Sequence, residues 1–165
     1  MPTTTVPAYE ALARDIQAQG VDTFFGLMSD DTALFCTALD GCGVRLRAAR
    51  HENNAISMAE GYAASTGRLG IAVIGRGPAT ANALHGAVHA LRSKSPVLLI
   101  FGEGSLTLGA SNGPGPDTKF LNAAAVLEAA GIRTFTATDP RSARHTLALA
   151  MAAARHGAVA LLLPM

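Results

Sequence analysis

Charge is scarce in this chain. Lys, Arg, Asp and Glu together make up 15% of 165 residues, and the formal net charge is +1. So small a balance gives no basic field for a nucleic acid and none for an anionic membrane surface, and neither partner is expected. Cysteine is scarcer still: the two, Cys36 and Cys42, lie apart from any cluster of metal-ligating residues. That excludes a disulfide framework or a zinc module and leaves two reduced thiols, as in a cytoplasmic protein. No apolar run approaches the roughly 20 residues of a membrane span. The stretch from Met1 to Pro7 has no basic region leading into an apolar run, so no signal peptide is expected there.

Apolar residues, by contrast, are abundant, at 49%. One domain over residues 1–165 is the natural reading, and a domain of this size buries roughly 70% of its unfolded surface without a staple. A composition this apolar also implies that some apolar surface goes into an oligomer or against a second domain.

The pattern along the chain alternates between helical and strand-like periods. Tyr9, Leu12, Ala13 and Ile16 share a helical face that Gly20 ends. A short strand, Thr23 to Phe25, leads through the loop Gly26 to Asp31 into a helix over 32–39, with Asp30 or Asp31 as its N-cap. Val44 to Ala49 reads as a strand, Glu52 to Thr66 as a helix closed by Gly67, and Leu69 to Ile74 as a central strand unbroken by charge. A helix over 78–93 starts with Pro78 at its first position, where a missing N–H costs nothing. Strands over 96–101, 133–137 and 159–163, helices over 121–130 and from Pro140, and a Gly-, Ser- and Pro-rich loop over 104–117 complete the chain. The expectation is an α/β fold: a three-layer α/β/α sandwich with a six-stranded parallel sheet.

Within that frame Glu52 stands out. The run Arg50-His51-Glu52 follows a strand and opens an alanine-rich helix, so the carboxylate sits at the carboxyl edge of the sheet, where open α/β folds keep their chemistry. The plainer reading is a first-turn acid that complements the helix dipole. Gly75-Arg76-Gly77-Pro78-Ala79-Thr80 half matches a dinucleotide loop, but Thr80 replaces the third glycine and Pro78 removes an N–H that a phosphate would use. His85 and His89 sit four apart on one helix, with no acid between them and no third ligand near in sequence, and read as packed or solvated side chains.

Four segments together resemble the pyrimidine-binding domain of thiamine diphosphate-dependent enzymes, in particular the acetolactate synthase-like group of 2-oxo acid decarboxylases. They are Gly20-Val21-Asp22-Thr23-Phe24-Phe25-Gly26, Arg50-His51-Glu52 with Ala59-Glu60-Gly61-Tyr62-Ala63 through Arg68, Gly77-Pro78-Ala79-Thr80-Ala81-Asn82, and Pro96 to Gly102. The resemblance implies that Glu52 hydrogen-bonds the aminopyrimidine ring of the cofactor and so drives removal of the proton from the thiazolium C2. It implies that Leu27, Met28, Ser29, Pro78 and Asn82 also contact the cofactor, and that His51 and Phe120 face a small 2-oxo acid. Sharing a proton with a ring nitrogen calls for a carboxyl group with a raised pKa. Burial raises carboxyl values by up to 3–5 units, so a covering partner domain is expected to complete the site, with Glu52 wet until it does.

The resemblance further implies thiamine diphosphate with Mg2+ as cofactors and a homodimer or higher oligomer. It also implies a separate diphosphate-binding domain or subunit, because the Gly-Asp-Gly…Asn motif that holds the metal is absent from this sequence, which supplies no metal ligand of its own. The chain then reads as a fragment or a split subunit of a larger enzyme, inactive by itself. Departures from the family pattern fall near the substrate pocket: Met28-Ser29 where Pro-Gly is common, Ala79 for a glycine, and Phe120-Leu121-Asn122 for Phe-Gln-Glu. Two alternatives stay open at this point, a non-catalytic dimerisation scaffold of the same fold and a flavodoxin-like nucleotide-binding domain.

Overall fold

A computed structural model describes residues 5–104 and 118–164. The loop expected over 104–117 therefore lies, but for Gly104, outside the described residues. Strands β1 (Thr23–Gly26), β2 (Arg45–Ala48), β3 (Gly70–Ile74), β4 (Val97–Glu103), β5 (Thr134–Thr136) and β6 (Val159–Pro164) form one sheet in the order β2-β1-β3-β4-β6-β5. Every pairing is parallel. The helices are α1 (Ala8–Ala18), α2 (Ala33–Gly41), α3 (Glu52–Thr66), α4 (Pro78–Arg92), α5 (Ala123–Ala129) and α6 (Pro140–Ala154). This is the expected six-stranded parallel α/β architecture.

Alternation along the strands assigns each helix to a layer, because successive side chains leave a strand on opposite faces. Phe24, Ile71, Val73, Leu98, Ile100 and Leu161 pack with α1, α2 and α6. Their neighbours Phe25, Ala72, Ile74, Leu99, Phe101 and Leu162 pack with α3, α4 and α5. The second layer is built largely of alanine, with Ala55, Ala59 and Ala63 on α3 and Ala83, Ala87 and Ala90 on α4 all buried. Small side chains let these helices sit close: a Cβ on Gly86 of α4 would come within 2.7 Å of Asn53 Oδ1 and 3.2 Å of Ile56 Cβ on α3.

Local signals in the sequence account for most boundaries. Asp139 caps α6 by accepting from the N–H groups of Arg141 and Ser142 at 2.7 and 3.1 Å. Gly67 ends α3 in the left-handed region, at φ 69° and ψ 9°. Neither Asp30 nor Asp31 caps α2; Thr32 holds the cap position, without a side-chain bond. Cations draw the two aspartates elsewhere. Lys119 Nζ lies 2.5 Å from Asp30 and 3.2 Å from Asp31, and Arg76 Nε lies 3.3 Å from Asp31.

Candidate functional site

Three neighbouring strands, β2, β1 and β3, deliver three of the four resemblance segments to one edge of the sheet. From β1 the chain passes to α2 on one face, and from β3 to α4 on the other. Such a divergence opens a crevice at the carboxyl ends of the strands. Leu27 to Ser29 follow β1, Gly75 to Pro78 follow β3, and His51-Glu52 follow β2. The loops meet closely, for a Cβ on Gly75 would stand 2.9 Å from Ser29 Oγ, and so do the paired strands before them, where a Cβ on Gly26 would stand 2.8 Å from the Val73 carbonyl oxygen. Ser29 in turn shares a 3.2 Å hydrogen bond with the Thr32 hydroxyl.

Glu52 is the first residue of α3, and His51 is its cap, accepting from the Asn53 N–H through Nδ1 at 3.1 Å. With Nδ1 as acceptor, the neutral ring carries its hydrogen on Nε2. Asn82, on the second turn of α4, donates to Glu52 Oε2 at 3.2 Å, and His51 Nδ1 lies 4.0 Å from the same oxygen. Oε1 accepts no hydrogen bond among the described residues. The Glu52 side chain is 13% exposed, so it is already largely enclosed within this domain. The carboxylate is therefore less wet than expected, and Asn82 of α4 supplies its described hydrogen bond.

The remaining expected residues divide. Pro78 occupies the first turn of α4 behind Gly77, whose φ of 63° and ψ of −116° suit glycine alone. A Cβ on Gly77 would run into the carbonyl oxygen of Lys119, so the space beside this turn is filled by protein backbone. That packing, added to the missing Pro78 N–H, leaves little of the phosphate cradle a dinucleotide loop requires. Leu27 and Met28 are exposed at the edge, and Phe120 is 80% exposed, with no described contact joining it to Glu52.

The bonding of several polar groups here depends on the fold rather than on any local signal in the sequence. Thr80 is fully buried, and its Oγ1 has no hydrogen-bond partner among the described residues. His85 Nδ1 meets Asn53 Oδ1 at 3.2 Å, and His89 Nδ1 meets Glu60 Oε2 at 2.9 Å, while Ser95 donates to the other Glu60 oxygen at 2.6 Å. These bonds zip α3 to α4, and the two histidines belong to the zip; among the described residues no group of His, Cys, Asp and Glu could hold a metal. The far half of the second resemblance segment has a structural role. Tyr62 donates to Asp22 at 3.1 Å and Arg68 pairs with Asp22 at 2.6 Å, and the Arg68 guanidinium holds the Asp22 carboxyl below its ordinary range. This lock fastens the end of α3 to the turn before β1, at the opposite edge of the sheet from Glu52.

A cavity of about 520 Å³ lies on the α1–α2–α6 layer, lined by Tyr9, Leu12, Leu34, Phe35 and Leu163 among others, and Glu52 does not reach it. No helix among the described residues is long and apolar enough to cross a membrane.

The chain is similar to several known proteins. A probable 2-ketoarginine decarboxylase of Pseudomonas aeruginosa is 35% identical over 99 residues, 60% of this chain but 18% of that protein. The large subunit of acetolactate synthase isozyme 2 of Escherichia coli is 37% identical over 88 residues, covering 53% and 16% respectively. A sulfoacetaldehyde acetyltransferase of Alcaligenes xylosoxydans is 35% identical over 104 residues, covering 61% and 17%. The chain thus matches less than a fifth of the length of these relatives. Residues 7–118, well over half of the chain, match the family described as thiamine pyrophosphate enzyme, N-terminal TPP binding domain, and the chain belongs to that family.

Proposed function

We propose that this chain forms the pyrimidine-binding half of a thiamine diphosphate site in an acetolactate synthase-like decarboxylase or carboligase, with Glu52 as the carboxyl group that meets the pyrimidine ring. The observation that carries this reading is the pair of unequal carboxylate oxygens. Oε2 is anchored by Asn82, and among the described residues Oε1 has no hydrogen-bond partner inside a largely enclosed side chain. An anchored carboxylate with one uncommitted oxygen is suited to a single directional bond with a ring nitrogen. When bound, the cofactor supplies a carbon nucleophile for the carbonyl of a small 2-oxo acid. The chain's part is to orient and to manage a proton. Asn82 fixes the Glu52 carboxyl, Ser29 and Pro78 set the spacing of the two loops around it, and the exposed Leu27 and Met28 cover the ring. His51, with its hydrogen on Nε2, and Phe120 face the substrate side.

Mg2+ and the diphosphate group belong, in this proposal, to a separate domain or subunit, and the assembly is a dimer or larger in the cytoplasm. The test uses this chain assembled with a diphosphate-binding partner. Glu52→Gln keeps the size and the Asn82 contact but removes the ionisable group. Exchange of the cofactor C2 proton, followed by NMR, is expected to slow by about 10²–10⁴-fold. Unchanged exchange in the variant refutes the role of Glu52. Failure of thiamine diphosphate with Mg2+ to bind, whether or not the partner is present, reduces the domain to a scaffold.

A further inference from the structure

On the layer away from Glu52, α1 and α6 enclose a groove of about 730 Å³. Asp15 and Ala18 of α1, with Gln19 just after it, form one wall, and α6 with the two residues after it forms the other. Arg141, His145, Ala148, Ala152 and Arg155 are all exposed. Their spacing of four, three, four and three residues keeps them in one line along the helix. Arg141 and Arg155 stand at the two ends of that line, about 21 Å apart at the usual helical rise. Leu147 and Met151 are buried beneath the middle, so the floor between the cations is apolar.

The charge of the groove is one-sided. Asp15 is its one acidic lining residue, and Arg144 takes it in a bidentate pair with both bonds at 2.6 Å. Among the described residues no carboxylate pairs with the side chain of Arg141 or Arg155. Arg141 also stands in the first turn of α6, the end at which the helix dipole disfavours a cation. Neither local structure nor an internal ion pair explains its placement.

We propose that this groove receives an amphipathic α-helix of a protein partner, one that carries carboxylates about 21 Å apart with small or aliphatic residues between them. Small Ala148 and Ala152 admit the centre of such a helix, and the arginines meet its ends. A nucleic acid fits less well. Its charges are evenly spaced and would set phosphates over the apolar floor, and the groove has no lysine and no aromatic ring for bases to stack on.

Fluorescence anisotropy on the full chain tests this with four probes: a synthetic helical peptide with glutamates at that separation, the same peptide with lysines, a short DNA duplex, and phosphatidylserine vesicles. The glutamate peptide is expected to bind, and more weakly as salt is raised. The double variant Arg141→Glu, Arg155→Glu should lose about tenfold or more in affinity and gain affinity for the lysine peptide. Both arginines are exposed, and circular dichroism establishes that the variant is folded. Equal binding of the two peptides, binding of neither, or tighter binding of DNA or vesicles overturns the proposal.

Discussion

Gly77→Ala should be far more damaging than Gly67→Ala, although both glycines have positive φ and each adjoins the end of a helix. Gly67 lies in the left-handed region with nothing within 4 Å of a new Cβ, so alanine there costs about 1 kcal/mol of backbone energy and little else. Gly77 combines φ 63° with ψ −116°, a region reserved for glycine, and its Cβ would meet backbone, the Lys119 carbonyl, rather than a side chain that can rotate away. The conformation costs about 1–3 kcal/mol and the overpacking about 1–3 more. A middle figure of about 4 kcal/mol lowers the melting temperature of a domain of this size by roughly 12 °C, against roughly 3 °C for Gly67→Ala. Thermal and urea unfolding of both variants, followed by circular dichroism, measure the difference. Equal costs would mean that the approach of Lys119 to the turn does not constrain it, and the account of how Pro78 and Asn82 are aimed at Glu52 would fail with it.

Glu60 should give the domain a pH-dependent margin. Burial pushes its carboxyl up, but hydrogen bonds from Ser95 and His89 outweigh that and leave it below its ordinary 4.5. A lowered folded value means that the stabilisation is complete above about pH 4.5 and is lost as pH falls through the folded value, so Glu60→Gln should flatten the acid limb of a urea-midpoint profile. Gly86→Ala drives a Cβ towards Asn53 and Ile56 and should cost about 1–3 kcal/mol in urea unfolding; no loss would mean that α3 and α4 are less tightly seated than described. Cys36 is buried and its thiol is pushed up by desolvation, so a thiol reagent should label it only on unfolding, whereas Cys42 is partly exposed and should label in the native state.

The strands were legible because parallel strands covered on both faces must be apolar throughout, as Ile71 to Ile74 and Val97 to Phe101 are. Asp139 and Gly67 announced their caps by residue type alone. The order of the strands was not legible, since periodicity says which residues face a core but not which strand lies next to which. Asp30 and Asp31 misled for a related reason. Their position suits a cap, and only the fold brings Lys119, some 88 residues on, close enough to outbid it. At the site, Glu52 could be singled out from its place at a strand end and from family resemblance. Its bond to Asn82, across 30 residues, depends on how closely two alanine-rich helices pack, which the sequence only hints at through Gly86.

The two outer strands of the sheet decide how this domain can meet other copies of itself. An open parallel sheet presents unpaired backbone groups along both borders, a template on which further strands can stack. Here β2 turns Arg45 and Arg47 outward along one border, and β5 is only three residues long on the other. An incoming strand would have to bury guanidinium groups on the first side and would find hardly any ladder on the second. Association is thereby steered to helices and loops, and the risk that so apolar a chain joins edge to edge into fibrils is held down by two arginines and one very short strand.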